Sequence, residues 1–347
     1  MINRLAGVRK SRGIAAVDLA GQAGITRQAI YAIEAGTYVP NTSVALRLAR
    51  ALETSVEDLF ALEDVATPQN NAQSFEPLEE SAQAAPGEPI QICRIGRRVI
   101  GVVPPSFPAY LPVADGVVTD TGQASMASEL DGGDRLLIAG CDPALSLLAS
   151  YAREAGIDVV LANANSARAL EWLREGKVNI AGTHVSARPA GSSVVTFALW
   201  EEGFVVRRGN PKSIRTIADL ANPLVKFVNR DHGSGSRKLF ESQIAAAGIP
   251  MTRIHGSESC VSGHLAAAWA VTSGSADCCI AAASAARRFG LDFIPLASER
   301  FELVLHKRDM AKKAVEGLFD ILNRSRLGRQ LETVAGYDVS CAGQTVS

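Results

Sequence analysis

Apolar residues at Leu5, Val8, Ile14, Val17, Leu19, Ala20 and Ala23 recur at helical spacing, and the pattern breaks at Gly24-Ile25 before Thr26 opens another helix. Thr26 is a good N-cap. Ala29, Ile30 and Ile33 form the buried stripe of this second helix, Arg27, Gln28 and Tyr31 fall on its other face, and Gly36 ends it. Pro40-Asn41-Thr42 leads into a further helix bearing Val44, Leu46, Leu48, Ala49 and Leu52, and a short one is expected from Ser55 to Leu62. Residues 1–65 therefore read as a small all-α domain built round helix, tight turn, helix.

The pattern then changes twice. Residues 66–89 lack apolar periodicity and are rich in Pro, Asn and acid, which predicts a flexible acidic tether. Short β-type runs follow at Ile90 to Ile95, Arg98 to Val103 and Val117 to Thr119, making a β segment over 90–132. From residue 133 strands alternate with helices. Leu136 to Ala139, Asp158 to Leu161, Val178 to Ala181 and Val225 to Asn229 are strands, while Pro143 to Glu154, Ala167 to Glu175 and Lys238 to Ala247 are helices. Such alternation means a mainly parallel α/β sheet with ligands at the carboxyl ends of its strands.

Composition fits a multidomain globular chain. The 347 residues are 47% hydrophobic and 20% charged, which excludes collagen-like and disordered classes. A net charge of -1 hides a gradient. Met1 to Leu52 hold seven basic residues against two acidic ones, a net +5, whereas Glu53 to Cys93 hold nine acids and no Lys or Arg. That asymmetry points to a nucleic-acid-binding head. The longest apolar run, Leu265 to Val271, is too short to span a bilayer, and the charged N-terminus is unlike a secretion signal, so a cytoplasmic protein without a membrane partner is expected. No Cys-x-x-Cys occurs among the six cysteines and the five histidines are scattered, so neither a metal site nor a cofactor is expected.

Leu19-Ala20, Ala23-Gly24-Ile25-Thr26-Arg27-Gln28, Ile30, Ile33-Glu34-Ala35-Gly36, Pro40 and Leu46 to Leu52 together resemble the helix-turn-helix family of the Cro and lambda repressors, the XRE type. The resemblance implies that the second helix of the motif lies in the major groove of a double-stranded DNA operator. It makes Thr26, Arg27, Gln28, Tyr31 and Thr42 the DNA contacts, and a homodimer the reader of two half-sites. Ala15-Ala16 stand where that family has a Ser-Gln pair.

Polar loops follow the strands of the α/β part: Gly140-Cys141-Asp142-Pro143, Asn163-Ala164-Asn165-Ser166, Gly182-Thr183-His184 and Arg230 to Arg237. In the last, Gly233-Ser234-Gly235-Ser236 lies between a strand and a helix, where amides and hydroxyls can cradle an anion; a plain tight turn is the alternative. These loops, with Arg207 to Lys212, Ser262-Gly263-His264-Leu265-Ala266, Gly274 to Asp277 and Gly290 to Leu296, look like the type II periplasmic-binding-protein fold, closest to its molybdate-binding-like branch. The resemblance implies two lobes joined by crossing strands near Phe197 to Val206 and Phe293 to Leu305, with a small anionic ligand between helix N-termini. The candidate ligand residues are Cys141, Asp142, Asn165, Ser166, Thr183, His184, Gly233, Ser234, Gly235, Ser236, Arg237 and His264.

The combined expectation is an all-α helix-turn-helix head on a two-lobed α/β body over 90–347: a transcriptional regulator, not an enzyme, that senses an oxyanion such as molybdate or tungstate, or a small anionic metabolite. Two alternatives stand on the same fold. One is an enzyme using Asp142, His184 or Cys260; the other is a redox sensor using Cys260, Cys278 or Cys279.

Overall fold

The computed structural model describes residues 2–61, 72–79, 84–105, 111–127, 135–184 and 189–346. The chain divides into two compact units, Met1–Asn70 and Asn71–Ser347.

In the first unit, strand β1 (Ile2–Asn3) pairs antiparallel with β2 (Phe60–Ala61), and five helices lie between them: α1 (Leu5–Ser11), α2 (Ala16–Ala23), α3 (Arg27–Glu34), α4 (Thr42–Ala51) and α5 (Val56–Leu59). Gly24 joins α2 to α3 at φ 64°, a left-handed conformation that glycine adopts without strain. Leu5, Leu19, Ala23, Ile30, Ile33, Leu48 and Leu59 close the core. Val17 and Leu46, which sequence periodicity placed in apolar stripes, are instead 59% and 58% exposed. Each is the odd member of its helix, off the arc that faces the core. The short fifth helix stops at Leu59 and passes into β2, so it does not run on as expected; Leu62 lies outside the described residues.

The second unit opens with a six-stranded sheet. Its strands are β3 (Ala72–Gln73), β4 (Glu76–Pro77), β5 (Pro89–Ile95), β6 (Arg98–Val102), β7 (Gly116–Val118) and β8 (Ala124–Met126), in the order β3-β8-β7-β5-β6-β4. The tether expected over 66–89 thus gives way, at 72–79, to paired strand. Glu76 meets Arg98 at 2.7 Å, Glu79 meets Arg168 at 3.4 Å, and Leu78 is buried. The acids of this segment are counter-ions, and Phe75 and Leu78 anchor it by packing against the strands. Residues 66–71 and 80–83 of that stretch lie outside the described residues, as does the expected lobe boundary at 133.

The body is an eight-stranded sheet. Strands and helices follow in the order β9 (Leu136–Gly140), α6 (Leu145–Glu154), β10 (Val159–Asn163), α7 (Ser166–Arg174), β11 (Ile180–Thr183) and β12 (Ser192–Val206). After these come β13 (Phe227–Arg230), α8 (Gly235–Ala246), β14 (Cys260–Val261), α9 (His264–Thr272), β15 (Cys278–Ala282), α10 (Ala283–Phe289), β16 (Asp292–His306), α11 (Lys313–Leu322) and α12 (Ser325–Gln330). The strand order is β10-β9-β11-β16-β12-β15-β13-β14, parallel except where β12 and β16 take part.

These two 15-residue strands are antiparallel partners along their whole length, from Ser192 opposite His306 to Val206 opposite Asp292. One end joins β11 through Val304 and the other joins β15 through Phe204, so they carry the sheet from one lobe to the other, near the crossings expected from sequence. Each lobe has an apolar core of its own on either side of the sheet. Ile138, Leu148, Phe197 and Leu318 belong to the first lobe, and Phe204, Phe227, Phe240 and Ile280 to the second. The register of β12 against β16 slips between Glu202 and Gly203, where the chain crosses. Gly203 is forced there, because a Cβ would lie 2.1 Å from the Ile294 carbonyl oxygen. A bulge at this point re-aims the neighbouring side chain, Glu202.

Candidate functional site

In the head, Thr26, Arg27, Gln28 and Tyr31 are exposed on α3, as the helical wheel requires. Thr26 caps the helix by accepting from the Ala29 amide at 3.1 Å. Arg27 donates to the Tyr31 hydroxyl at 3.1 Å with its guanidinium 5.3 Å from the ring centre, so the two side chains form one preset unit. Thr42 is exposed at the start of α4, which Asn41 caps. Between α1 and α3, the nearly buried Arg9 and Glu34 pair through two hydrogen bonds, and Arg9 also donates to the Ile14 carbonyl. This ion pair fixes α3 to α1.

In the body, the carboxyl ends of β9, β11 and β13 and the crossing at Glu202 bring a polar cluster together between the lobes. His264 is fully buried at the start of α9. Its Nδ1 accepts from the Ala282 amide at 3.1 Å and lies 2.9 Å from an Arg230 guanidinium nitrogen; both partners are donors, so Nδ1 carries the lone pair. The proton is on Nε2, which points at Cys141 Sγ, 3.5 Å away in the other lobe. Burial, Arg230 and His184 push the His264 pKa well below its ordinary value, so the ring is neutral.

Arg230 is 1% exposed and also reaches Ser236 at 3.3 Å and Asp231 at 3.7 Å, yet its Nε and second terminal nitrogen have no hydrogen-bond partner. Ser236 donates to Glu202, which is fully buried; the other Glu202 oxygen has no partner. Burial raises the Glu202 pKa against the pull of His184, Ser236 and Arg230. Asp142 accepts from the Ala144 amide at 2.7 Å, just ahead of α6, and from the Tyr337 hydroxyl at 2.9 Å, and leaves its second oxygen unpartnered. Burial raises it to about 6, although Ala144, Tyr337, His184 and Trp200 oppose that shift.

His184 sits 3.5 Å from Glu299 with its ring against Trp200 and His264. Burial works against its charge, but Cys141, Glu299 and Glu202 outweigh it and raise the pKa to about 10. The helix-starting Gly235 is shaped by this ring: a Cβ there would fall 1.9 Å from His184 Cε1. The glycine therefore serves side-chain packing across the lobes. Gly233, at φ 87°, faces Asn165, which donates to Asp231 and, at 3.0 Å, to the His232 carbonyl.

Of the residues singled out from sequence, Cys141, Asp142, His184, Gly235, Ser236 and His264 converge on this cluster. Asn165 and Ser234 are used as helix caps, Ser166 accepts from the His184 amide at 3.3 Å, and Thr183 is buried at the end of β11. Arg237 is spent on Glu241, the Arg230 carbonyl and Cys260. Sequence reasoning missed Trp200, Glu202, Arg230, Glu299 and Tyr337 as site residues. It also foresaw no metal-ligand spacing, whereas folding places the ligand atoms of His184, Glu202 and Glu299 all within 4.8 Å of one another. Beside the cluster, a cavity of about 570 Å³ opens between Asn163, Asn165, Arg168 and Glu171 on one side and Asp231, His232 and Ser262 on the other. Cys278 and Cys279, the redox candidates from sequence, are buried in β15, and burial pushes the Cys279 thiol up to about 12. No helix among the described residues is long and apolar enough to cross a membrane.

Two family descriptions match the chain: "PBP superfamily domain" over residues 148–323 and "Helix-turn-helix" over residues 5–59. An uncharacterised protein of Bacillus subtilis (strain 168), YvgK, is 29% identical over 236 residues, 63% of this chain and 76% of the relative. An uncharacterised HTH-type transcriptional regulator of Methanothermobacter thermautotrophicus is 44% identical over 57 residues, 16% of this chain and 83% of the relative. Among solved structures, a protein from Clostridium perfringens described as a phosphate ABC transporter substrate-binding protein with bound phosphate aligns at a TM-score of 0.48. It is 12% identical and covers 59% of this chain and 99% of its own. The chain belongs to the PBP superfamily domain family and carries a helix-turn-helix domain at its N-terminus, the organisation of a transcriptional regulator with a PBP-like ligand-binding body.

Proposed function

We propose that the cleft between the two lobes binds a small ligand with an anionic group, and that occupancy sets how a homodimer in the cytoplasm presents its heads to an operator. The observation that carries this reading is the buried Arg230, whose guanidinium keeps two nitrogens without hydrogen-bond partners at the junction of the lobes. A buried cation with unused donors is costly unless something accepts from them. The helices α6, α8 and α9 begin at the same cluster and add the favourable ends of their dipoles.

Asp231 lies 3.7 Å from Arg230 and Glu299 3.5 Å from His184, and the carboxylates of Asp142 and Glu202 act on the same cluster electrostatically. Their charge weighs against a bare dianion such as molybdate or tungstate and favours a small metabolite with a single anionic group. Coupling follows from the crossing strands: a ligand touching both lobes favours one lobe arrangement by its differential affinity. The experiment is a thermal-shift series with molybdate, tungstate, phosphate and a set of small carboxylic acids. A compound that stabilises the native chain and leaves Arg230→Ala unmoved supports the reading; no shift from any of them contradicts it.

A further inference from the structure

We infer that His184, Glu202 and Glu299 form a binding site for one divalent transition-metal ion of the zinc, cobalt or nickel class, inside the proposed ligand cleft. This deepens the ligand-sensing reading and rests on it only for its regulatory meaning.

The geometry is that of a donor set. The ligand atoms of the three residues all lie within 4.8 Å of one another, and His184 Nδ1 and Glu299 Oε2 are 3.5 Å apart. Donors about 2.1 Å from an ion at the corners of a tetrahedron stand roughly 3.4 Å apart, so that pair already has the required edge. Glu202, fully buried, holds Ser236 with one oxygen and has no partner for the other. A buried carboxylate oxygen without a partner is an expensive arrangement that a cation relieves.

Orientation supports the same assignment. The His184 ring is gripped between Trp200, His264 and the backbone of Gly235, so its direction is fixed before any ion arrives. Glu202 is held by the register slip at Gly203 and by Ser236. Such outer contacts orient metal ligands. One imidazole and two carboxylates suit a first-row transition ion better than the all-oxygen sites of calcium or magnesium. Three protein donors leave one position open on the ion. An anionic metabolite that occupied it beside Arg230 would be read as a metal complex, and the acid surplus of the cleft would be balanced by the ion.

The test uses the full chain, free of any affinity tag and treated with a chelator. Co²⁺ is titrated while its visible absorption is followed, and Zn²⁺ is then used as competitor. The expected result is one equivalent of Co²⁺ displaced by Zn²⁺. Glu202→Gln and Glu299→Gln should each weaken binding on the order of 100-fold, while a variant with His232→Ala and Cys260→Ser, which removes exposed donors, keeps it. Glu299 is partly exposed, so its variant remains informative if loss of Glu202 disturbs folding. Absence of stoichiometric binding, or binding that survives both glutamine substitutions, overturns the site. A metabolite that stabilises the chelated protein through Arg230 while Co²⁺ does not bind removes the metal and leaves the sensing reading standing. Co²⁺ held by these residues with no effect of any ligand on DNA binding does the reverse.

Discussion

His264 Nδ1 accepts at once from the Ala282 amide, at 3.1 Å, and from Arg230, at 2.9 Å, while its Nε2 faces Cys141 across the cleft. One neutral imidazole therefore satisfies two buried donors of the second lobe and touches the first. His264→Ala takes away the side-chain acceptor of the Ala282 amide and leaves that Arg230 nitrogen with Ser236 alone, and should destabilise the body by about 2–4 kcal/mol in denaturant unfolding. His264→Phe keeps a ring against Trp200 but not the acceptor and should cost as much. A Phe variant as stable as the native chain would mean that packing, not hydrogen bonding, is what His264 supplies.

Asp142 gives a pH signature. Its folded pKa is raised to about 6 by burial, above the ordinary carboxylate value, so the folded state holds the proton more tightly than the unfolded chain. The associated stability is present below about pH 4 and is lost as pH rises through 6. Relative to the native chain, Asp142→Asn should therefore gain stability by roughly 2–3 kcal/mol between pH 4 and pH 8. Unfolding curves at the two pH values measure this difference; a gap that does not change with pH contradicts the assigned protonation.

Gly235→Ala tests the fit between loop and ring. The added Cβ would sit 1.9 Å from His184 Cε1, so the ring must leave Trp200 and His264 or the start of α8 must move. A loss of about 1–3 kcal/mol is expected, as for overpacking elsewhere. Pairing Gly235→Ala with His184→Ala should recover most of it, and failure to recover would place the strain elsewhere in the loop.

For the head, Arg27→Ala should weaken operator binding by about 1–3 kcal/mol if the guanidinium reads a base edge. Tyr31→Phe removes only the hydroxyl that holds Arg27 and should cost less. Equal affinity of the native and Arg27→Ala chains, measured by fluorescence anisotropy at fixed salt, would remove α3 from the interface.

The helix-turn-helix was legible because its signals are local: Gly24 at the turn, Thr26 at the cap and the Ile30–Ile33 stripe all lie within one short stretch. The alternating strands and helices of the body were legible for the same reason. The site was read in part, through loops whose small residues advertise tight turns. Glu202 escaped because Glu201-Glu202-Gly203 has the composition of an exposed turn, and it is the pairing of β12 with both β16 and β15 that places it inside the sheet. Arg230 ends an apolar strand and looks like a solvent-facing boundary until α9 brings His264 to it. Tyr337 lies far along the chain from Asp142, and no local pattern links them. The pairing of 72–79 is not legible in sequence because the segment has the composition of a tether, while its partners, Arg98 and Arg168, come from elsewhere.

The most direct test of the central account is operator affinity measured with and without a stabilising ligand from the oxyanion and carboxylic-acid series, on DNA selected by the full chain from a random library. Ligand is expected to change the affinity of the native chain by at least about fivefold, the scale of ordinary allosteric coupling, and to leave Arg230→Ala unchanged. Identical affinities with and without a ligand that demonstrably occupies the cleft would contradict the claim that the body controls the head.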